Sequence, residues 1–117
     1  MEPKHDPDEF ETAFGADADL ARPVALDTPW GTLALFRVDG EVVCVQAFCP
    51  HLEGPLFQGS VANGEVTCPW HLWRFDLRSG ARTDWKNPRH GQDARGLLVS
   101  SVRVGENGKL ILARPRR

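Results

Sequence analysis

Short apolar runs separated by tight turns dominate the pattern of hydrophobic and polar positions along the chain. One run covers residues 33–38 and ends at Asp39-Gly40, and a second run over residues 41–48 follows at once. An Asp-Gly pair between two such runs is a strong signal for a two-residue hairpin turn, because both central residues of that turn need positive φ angles. The pattern therefore predicts two antiparallel strands joined by a tight turn.

Further runs and turns continue this pattern toward the end of the chain. They are residues 60–62 and 65–68 around Asn63-Gly64, residues 73–77 before Ser79-Gly80, and residues 97–104 and 109–113 around residues 105–108. No long segment shows a 3.6-residue periodicity, and residues 84–96 are typical of a loop. Frequent turns without helical periodicity predict an all-β fold, either a small β-sandwich or a barrel.

Charge is distributed unevenly along the 117 residues. Residues 1–19 contain seven acidic side chains and one basic side chain, Lys4, whereas the rest of the chain contains nine acidic and thirteen basic side chains. This predicts an acidic N-terminal arm over residues 1–20, a folded domain over residues 21–113 and a basic tail over residues 114–117. The arm is interpreted as a solvated, partly flexible leader, and a docking arm for a basic partner is the alternative. The short tail does not favour nucleic-acid binding.

The N-terminal residues lack the apolar core of a secretory signal, and no apolar run approaches the ~18 residues of a membrane-spanning helix. We therefore expect a cytoplasmic protein that does not contact a membrane. Its three cysteines, Cys44, Cys49 and Cys68, are an odd number, which argues against a disulfide framework. Cys44 lies within an apolar run, and we expect it to be a small buried residue and not a ligand.

Two short segments each combine a cysteine with a histidine, Cys49-Pro50-His51 and Cys68-Pro69-Trp70-His71. Sixteen residues separate His51 from Cys68, and the predicted hairpin between them returns the second segment to the side of the first. The proline after each cysteine restricts it to extended geometry, which lowers the entropy cost of ordering a metal site. Two thiolates and two imidazoles suit either a [2Fe–2S] cluster with mixed ligands or a tetrahedral zinc ion.

The pattern C-x-H, sixteen residues and C-x-x-H resembles the signature of Rieske iron–sulfur proteins. The flanking sequences CPHLEGPLFQG and CPWHLWRFDLRSG are similar to those of Rieske ferredoxins from bacterial aromatic-ring oxygenase systems, and the resemblance covers about residues 21–113. It implies a small β fold whose cluster-binding subdomain consists of two hairpin loops. It also implies one [2Fe–2S] cluster, with Cys49 and Cys68 on the inner iron and His51 and His71 on the outer iron near the surface.

The chain departs from the family pattern at two positions where the family usually has glycine. Glu53 occupies one of them in the first segment, and Leu72 directly follows the second histidine. If either position needs a positive φ angle, its side chain adds strain to the backbone. Neither departure removes a predicted ligand.

Four further positions indicate the subtype within this family. Respiratory Rieske proteins carry a disulfide whose positions correspond here to Gly54 or a nearby residue in the first segment and to Trp70 in the second. They also carry a serine and a tyrosine that donate hydrogen bonds toward the cluster, and the corresponding residues here are Trp73 and Phe75. Fewer donors stabilise the reduced cluster less, which predicts a potential near the low end of the Rieske range of roughly −150 to +300 mV.

Apolar residues flank the predicted ligand histidines. Leu52, Trp70 and Leu72 are candidates for a rim on which a partner docks, and core packing is the alternative for Trp70. A proline-bearing loop covers the cluster in Rieske proteins, so Pro88 is a candidate cover residue. His90, in the same predicted loop, is expected to be an ordinary surface residue.

These features predict a soluble one-electron carrier that is not an enzyme by itself. The expected partners are an NAD(P)H-dependent ferredoxin reductase and a terminal oxygenase or reductase. A chain of 117 residues has no room for the catalytic domain of a Rieske oxygenase, and the remaining His5 and His90 supply no facial triad. The alternatives are a small Rieske subunit of a nitrite reductase-like complex, a structural zinc domain and a redox-sensing domain.

Overall fold

The computed structural model describes residues 7–50, 53–70, 72–84 and 95–117. Its elements follow in the order β1 (Glu9–Gly15), β2 (Val24–Thr28), β3 (Gly31–Val38), β4 (Glu41–Gln46), the 3-10 helix η1 (Leu56–Gln58), β5 (Ser60–Ala62), β6 (Glu65–Thr67), β7 (Arg74–Asp76), β8 (Val99–Ser100), β9 (Val102–Val104) and β10 (Lys109–Ala113). No helix within these ranges has the length and apolar character needed to cross a membrane. The predicted all-β fold is confirmed.

The strands form three antiparallel sheets of the orders β1-β10-β9, β2-β3-β4-β8 and β5-β6-β7. The second sheet is the central layer, because its strand β3 buries side chains on both faces. Leu33 and Leu35 pack in one core cluster with Leu110 of the first sheet, whereas Phe36 packs in a second cluster with Phe75 of the third sheet. Side chains alternate between the faces of a strand, so a strand buried on both faces is apolar at nearly every position.

Two of the predicted tight turns have the expected backbone geometry. The turn between β3 and β4 has φ angles of 50° at Asp39 and 82° at Gly40, and the turn between β5 and β6 has 54° at Asn63 and 77° at Gly64. Positive φ at both central residues matches the right-handed twist of the flanking strands. Both hairpin predictions are therefore confirmed, and the second hairpin leads directly into Cys68.

Strand β1 lies inside the segment predicted as a flexible acidic arm, and here the structure differs from the prediction. It pairs antiparallel with β10. Alternation along the strand turns Phe10, Thr12 and Phe14 toward the core formed by the first two sheets, while Glu11 faces solvent. The apolar period of two residues is present in the sequence, but it covers only one short strand in an otherwise acidic segment.

Acidic residues near β1 pair with basic residues near the end of the chain. The Glu9 carboxylate accepts two hydrogen bonds from Arg103, each 2.9 Å long, and Asp8 accepts one from Arg114 at 2.7 Å. The hydrogen bond from Arg103 holds the pKa of Glu9 below its usual range. Arg116 in turn forms an antiparallel bridge to β8. The folded unit thus includes parts of both the predicted arm and the predicted tail, and their opposite charges meet within it.

The apolar run predicted over residues 97–104 forms two strands that belong to different sheets. Strand β8 pairs with β4 in the central sheet, and β9 pairs with β10 in the first sheet, with Ser101 between them. Strand β2, which pairs with β3, was not predicted. Most of the predicted loop over residues 84–96 falls on residues 85–94, which lie outside the described residues.

Candidate metal centre

The first cysteine begins a six-residue loop, from Cys49 to Gly54, that follows the central sheet. An antiparallel bridge between Phe48 and Pro55 closes the loop. The Cys49 N–H donates to the carbonyl oxygen of Gly54 at 2.8 Å, and the Glu53 N–H donates to the carbonyl oxygen of Cys49 at 3.0 Å. Both backbone polar groups of the cysteine are therefore held inside the loop.

The second cysteine begins a loop of the same length, from Cys68 to Trp73, that joins β6 to β7. These strands pair at Thr67 opposite Arg74, which closes the loop. The Cys68 N–H donates to the carbonyl oxygen of Trp73 at 2.8 Å, and the Leu72 N–H donates to the carbonyl oxygen of Cys68 at 3.0 Å. The two loops share one hydrogen-bonding pattern, in which the first residue bonds the sixth and the fifth bonds the first.

The fifth residue of each loop has a left-handed backbone conformation. The φ angle is 59° at Glu53 and 62° at Leu72. These are the two positions where the sequence departs from glycine, and the structure confirms that both have positive φ. A side chain in this conformation costs roughly 1 to 2 kcal/mol relative to the right-handed form. Each loop therefore carries a strained residue four positions after its cysteine.

The two loops touch at Gly54. A Cβ atom added there would lie 2.6 Å from the Cys68 sulfur and 3.2 Å from both Cβ and Cγ of Trp70. The backbone of the first loop thus contacts the sulfur of the second loop. Gly54 also lies beside Trp70, the residue compared above with the second disulfide cysteine of respiratory Rieske proteins.

The loops run from the core to the surface. Cys49 is 1% exposed and Cys68 is fully buried, and both belong to the core cluster between the second and third sheets. Trp70 is 58% exposed and Leu72 is 63% exposed. The thiols therefore lie at the inner end of the loops, and apolar side chains next to the second predicted histidine ligand lie at the outer end.

Four of the predicted site residues, His51, Leu52, His71 and Pro88, lie outside the described residues. Their roles as ligands, rim or cover stay predictions. Because two of the four predicted ligands are in this group, the described ranges contain no set of three or more side chains suited to a metal ion.

Cys44 faces away from the other two cysteines. It belongs to the core cluster between the first and second sheets, whereas Val45, Ala47 and Cys49 belong to the other cluster. Burial raises the pKa of the Cys44 thiol to about 12, although a hydrogen bond with Ser100 acts in the opposite direction. A thiol this hard to ionise is a poor ligand, so the structure supports the buried role predicted for it.

A buried ion pair beside the second loop was not predicted. The Arg82 Nε atom lies 2.8 Å from Asp84 Oδ1, and the two side chains are 0% and 7% exposed. The guanidinium carbon of Arg82 lies 3.3 Å from the centroid of the Trp73 ring. Sequence offered no signal for this contact, since Arg82 and Asp84 follow a turn in a segment with many charges.

The residues present fit a [2Fe–2S] cluster. Two buried thiols lie in one core cluster, and two loops of equal length hold them with the same backbone bonds. The missing Cβ of Gly54 lets the first loop lie directly against the Cys68 sulfur. Each loop also contains a histidine, two residues after Cys49 and three residues after Cys68. Two cysteines and two histidines are the ligand set of a Rieske centre.

Comparison with known proteins finds both much longer relatives and chains of similar length. The chain is 43% identical over 89 residues to the oxygenase component of dicamba O-demethylase from Stenotrophomonas maltophilia; the match covers 74% of this chain and 24% of that protein. The chain thus spans about a quarter of the length of this relative.

Two solved structures match over nearly their whole length. A ferredoxin from Sphingomonas yanoikuyae B1 superposes with a TM-score of 0.69 and 25% identity, covering 86% of this chain and 92% of that chain. A chain from the complex of reduced oxygenase and oxidised ferredoxin in carbazole 1,9a-dioxygenase superposes with a TM-score of 0.76 and 19% identity. That match covers 96% of this chain and 99% of the other.

The family model of the Rieske [2Fe-2S] domain matches residues 12–103, which include the later part of β1 and both cysteine loops. This range covers most of the chain and agrees with the fold and with the arrangement of the two loops. A zinc site is therefore not supported. The chain belongs to the Rieske [2Fe–2S] domain family and carries one [2Fe–2S] cluster.

Proposed function

We propose that this protein is a soluble one-electron carrier that acts in the cytoplasm and is not an enzyme by itself. The observation that carries the proposal is the change from buried to exposed side chains along the second cysteine loop. Cys49 and Cys68 are buried, whereas Trp70 and Leu72 are largely exposed on either side of His71. An electron can enter and leave at such an edge without the buried thiols meeting water.

The proposed ligands are Cys49 and Cys68 for the inner iron and His51 and His71 for the outer iron. Burial of both thiols supports the assignment of the cysteines to the inner end. The bound cluster takes up and releases one electron. The chain supplies two loops whose cysteine backbone groups are already paired, and this pairing limits the rearrangement that a change of charge requires.

We further propose that Trp70 and Leu72, with Leu52 and Pro88, form an apolar rim for partner docking. The exposures of Trp70 and Leu72 support this role over core packing. An apolar rim excludes water from a small and transient interface, which suits a carrier that must dissociate after each transfer.

The proposed partners are an NAD(P)H-dependent ferredoxin reductase as donor and a terminal oxygenase as acceptor. The acceptor is proposed because a chain of the same fold and nearly the same length occurs in an oxygenase–ferredoxin complex. A reduction potential near the low end of the Rieske range suits this position. Trp73 and Phe75 are buried at the positions of the serine and tyrosine donors, and Phe75 has no side-chain donor.

Stopped-flow reduction tests the carrier role. The purified protein is mixed with NADH and catalytic amounts of a ring-hydroxylating dioxygenase reductase, and bleaching of the visible absorption is followed. We expect one electron per chain and re-oxidation when a matching oxygenase is added. The carrier role would be contradicted if dithionite reduces the protein fully but neither of two unrelated reductases reduces it and no oxygenase re-oxidises it.

Substitution tests the ligand assignment. Cys49→Ala, Cys68→Ala and His71→Ala should each lose iron and acid-labile sulfide, whereas the control Cys44→Ala should keep both. Electron paramagnetic resonance spectra of reduced wild type and reduced Cys44→Ala check that the cluster in these two proteins is of the Rieske type. A His71→Ala protein that keeps the wild-type spectrum would contradict the assignment.

The similarity to an oxygenase component favours a second candidate, in which this chain is the electron-relay part of a larger assembly. The mass of the native complex separates the two. A stable complex with a large subunit in the purified material would favour the relay, and a monodisperse small protein would favour the carrier.

A further inference from the structure

We propose that Arg82 and Asp84 form a buried charge pair that fixes Trp73, the last residue of the second cysteine loop, and sets the reduction potential of the cluster. The cluster itself follows from the family. The functional reason for adjusting the reduction potential rests on the carrier role proposed above.

The position of Arg82 follows from strand pairing. Arg82 forms an antiparallel bridge with Phe75, and residues directly opposite each other in such a pair turn their side chains to the same face. Trp73 lies two residues before Phe75 and faces the same way. The guanidinium therefore reaches the Trp73 ring, 3.3 Å from its centroid, inside the layer where Phe75 is fully buried.

Asp84 joins this arrangement to the backbone of the loop exit. Its Oδ1 atom accepts hydrogen bonds from Arg82 Nε at 2.8 Å and from the Arg74 N–H at 3.2 Å. The Arg74 carbonyl oxygen in turn accepts the Thr83 N–H at 2.9 Å. Two contacts, one through the ring of Trp73 and one through the amide of Arg74, thus fix the backbone where the second loop ends.

The pair reaches the predicted ligand through Trp73. The carbonyl oxygen of Trp73 accepts the Cys68 N–H at 2.8 Å, and Trp73 shares the buried core cluster of Cys49 and Cys68. Any shift of Trp73 therefore moves the backbone of a cysteine whose sulfur is already in contact with Gly54. Arg82 and Asp84 therefore act on the position of Cys68 through Trp73 and the Arg74 amide.

Burial gives the pair an electrostatic effect that a surface pair lacks. Full burial of the Arg82 side chain removes the water that screens exposed charges. Reduction adds one negative charge to the cluster, so the buried cation favours the reduced form and the buried carboxylate favours the oxidised form. Removing one charge leaves the other uncompensated in a poorly solvated region.

Redox titration of four cluster-loaded variants tests the proposal. Arg82→Met should lower the midpoint potential and Asp84→Asn should raise it, each by a change of about three- to tenfold in the reduction equilibrium, where tenfold is about 59 mV for one electron. Arg82→Lys keeps the charge and should stay near the wild-type midpoint. The matched control Arg74→Met removes an exposed cation on the other face of β7, and its midpoint should not change.

The direction of the shifts separates tuning from a structural role. A purely structural pair would lower thermal stability in both variants without opposite shifts of the midpoint. The shifts should also persist at about 1 M salt, at which a surface effect is largely screened. Midpoints of Arg82→Met and Asp84→Asn that both equal the wild-type value, or that move in the same direction, would overturn the proposal.

The double variant Arg82→Met/Asp84→Asn keeps the test decisive if Arg82→Met alone does not fold. Because it removes both charges, its midpoint potential should lie closer to the wild-type value than the midpoint potential of Asp84→Asn does. A double variant with the same midpoint potential as Asp84→Asn would overturn the proposal. These titrations need no reductase or oxygenase. A failed carrier role would appear instead as wild-type protein with a normal potential that exchanges no electrons with partners.

Discussion

Replacement of Gly54 by alanine is expected to prevent normal cluster binding. The added Cβ would lie 2.6 Å from the Cys68 sulfur. To reach an ordinary van der Waals separation, the sulfur must move by about 0.8 Å. Ligand positions in a metal site tolerate only about 0.2 Å, so the required displacement exceeds the tolerance about fourfold. Cys68 is fully buried and cannot move outward into solvent.

The assay measures iron and acid-labile sulfide per chain, together with the visible absorption, after anaerobic reconstitution of wild type and Gly54→Ala. We expect the variant to hold less than half of the wild-type cluster content. Its fold should survive, because overpacking of this size costs about 1 to 3 kcal/mol. A circular dichroism spectrum with the wild-type strand signal checks this.

A matched control is available at Gly105, which lies in the turn before β10. A Cβ added there would lie 2.7 Å from Ile111 Cδ1, a contact almost as close, but with the end of a flexible side chain. Gly105→Ala should therefore bind a full cluster. The additional substitution Trp70→Ala should not rescue Gly54→Ala, since it leaves the contact with sulfur in place. A Gly54→Ala protein with full cluster content and an unchanged paramagnetic spectrum would refute the reasoning.

Three further outcomes follow from local features. Leu72→Gly should raise the thermal midpoint by about 2 °C in a melting experiment. Glycine adopts the positive φ angle of this position without strain, and the Leu72 side chain that is lost buries little surface. A lower midpoint would contradict this. Since burial raises the pKa of Cys44 to about 12, its thiol should not react with iodoacetamide at pH 8 in the folded protein; an adduct at Cys44 in the mass spectrum would contradict the assigned burial. Asp76 accepts N–H bonds from Arg78 and Ser79, and the Ser79 bond is the main reason that the pKa of Asp76 lies below its usual range. The stability that this carboxylate contributes is therefore present above about pH 4 and lost as the pH falls further. The free energy of unfolding of Asp76→Asn should be about 1 kcal/mol lower than that of wild type at pH 7 and converge with it in acid, and an equal difference at pH 3 would be inconsistent with this.

Sequence predicted the elements whose signals are local. The Asp39-Gly40 and Asn63-Gly64 turns were identified because both residues of such turns need special φ angles. The strained positions Glu53 and Leu72 were identified because the family pattern has glycine there. In each case the decisive information lies within a few neighbouring residues.

The features that sequence missed depend on contacts between distant segments. Strand β1 is short and acidic, and its partner β10 lies almost a hundred residues away. The change of sheet at Ser101 depends on which neighbours the two halves of one apolar run find. The Arg82–Asp84 pair forms because β7 pairs with the segment after its turn, which brings the guanidinium onto Trp73. Neither the spacing of residues nor the composition of a segment predicts such a tertiary contact.

The pairing of β1 with β10 has a consequence for how this domain combines with others. The Arg114 N–H donates to the carbonyl oxygen of Asp8 at 2.8 Å, so the chain enters and leaves the fold side by side. These strands pack in a different core cluster from the two cysteine loops. Both covalent connections can therefore be made through one site without moving the redox loops, which makes the domain suited to insertion as a module into a longer polypeptide.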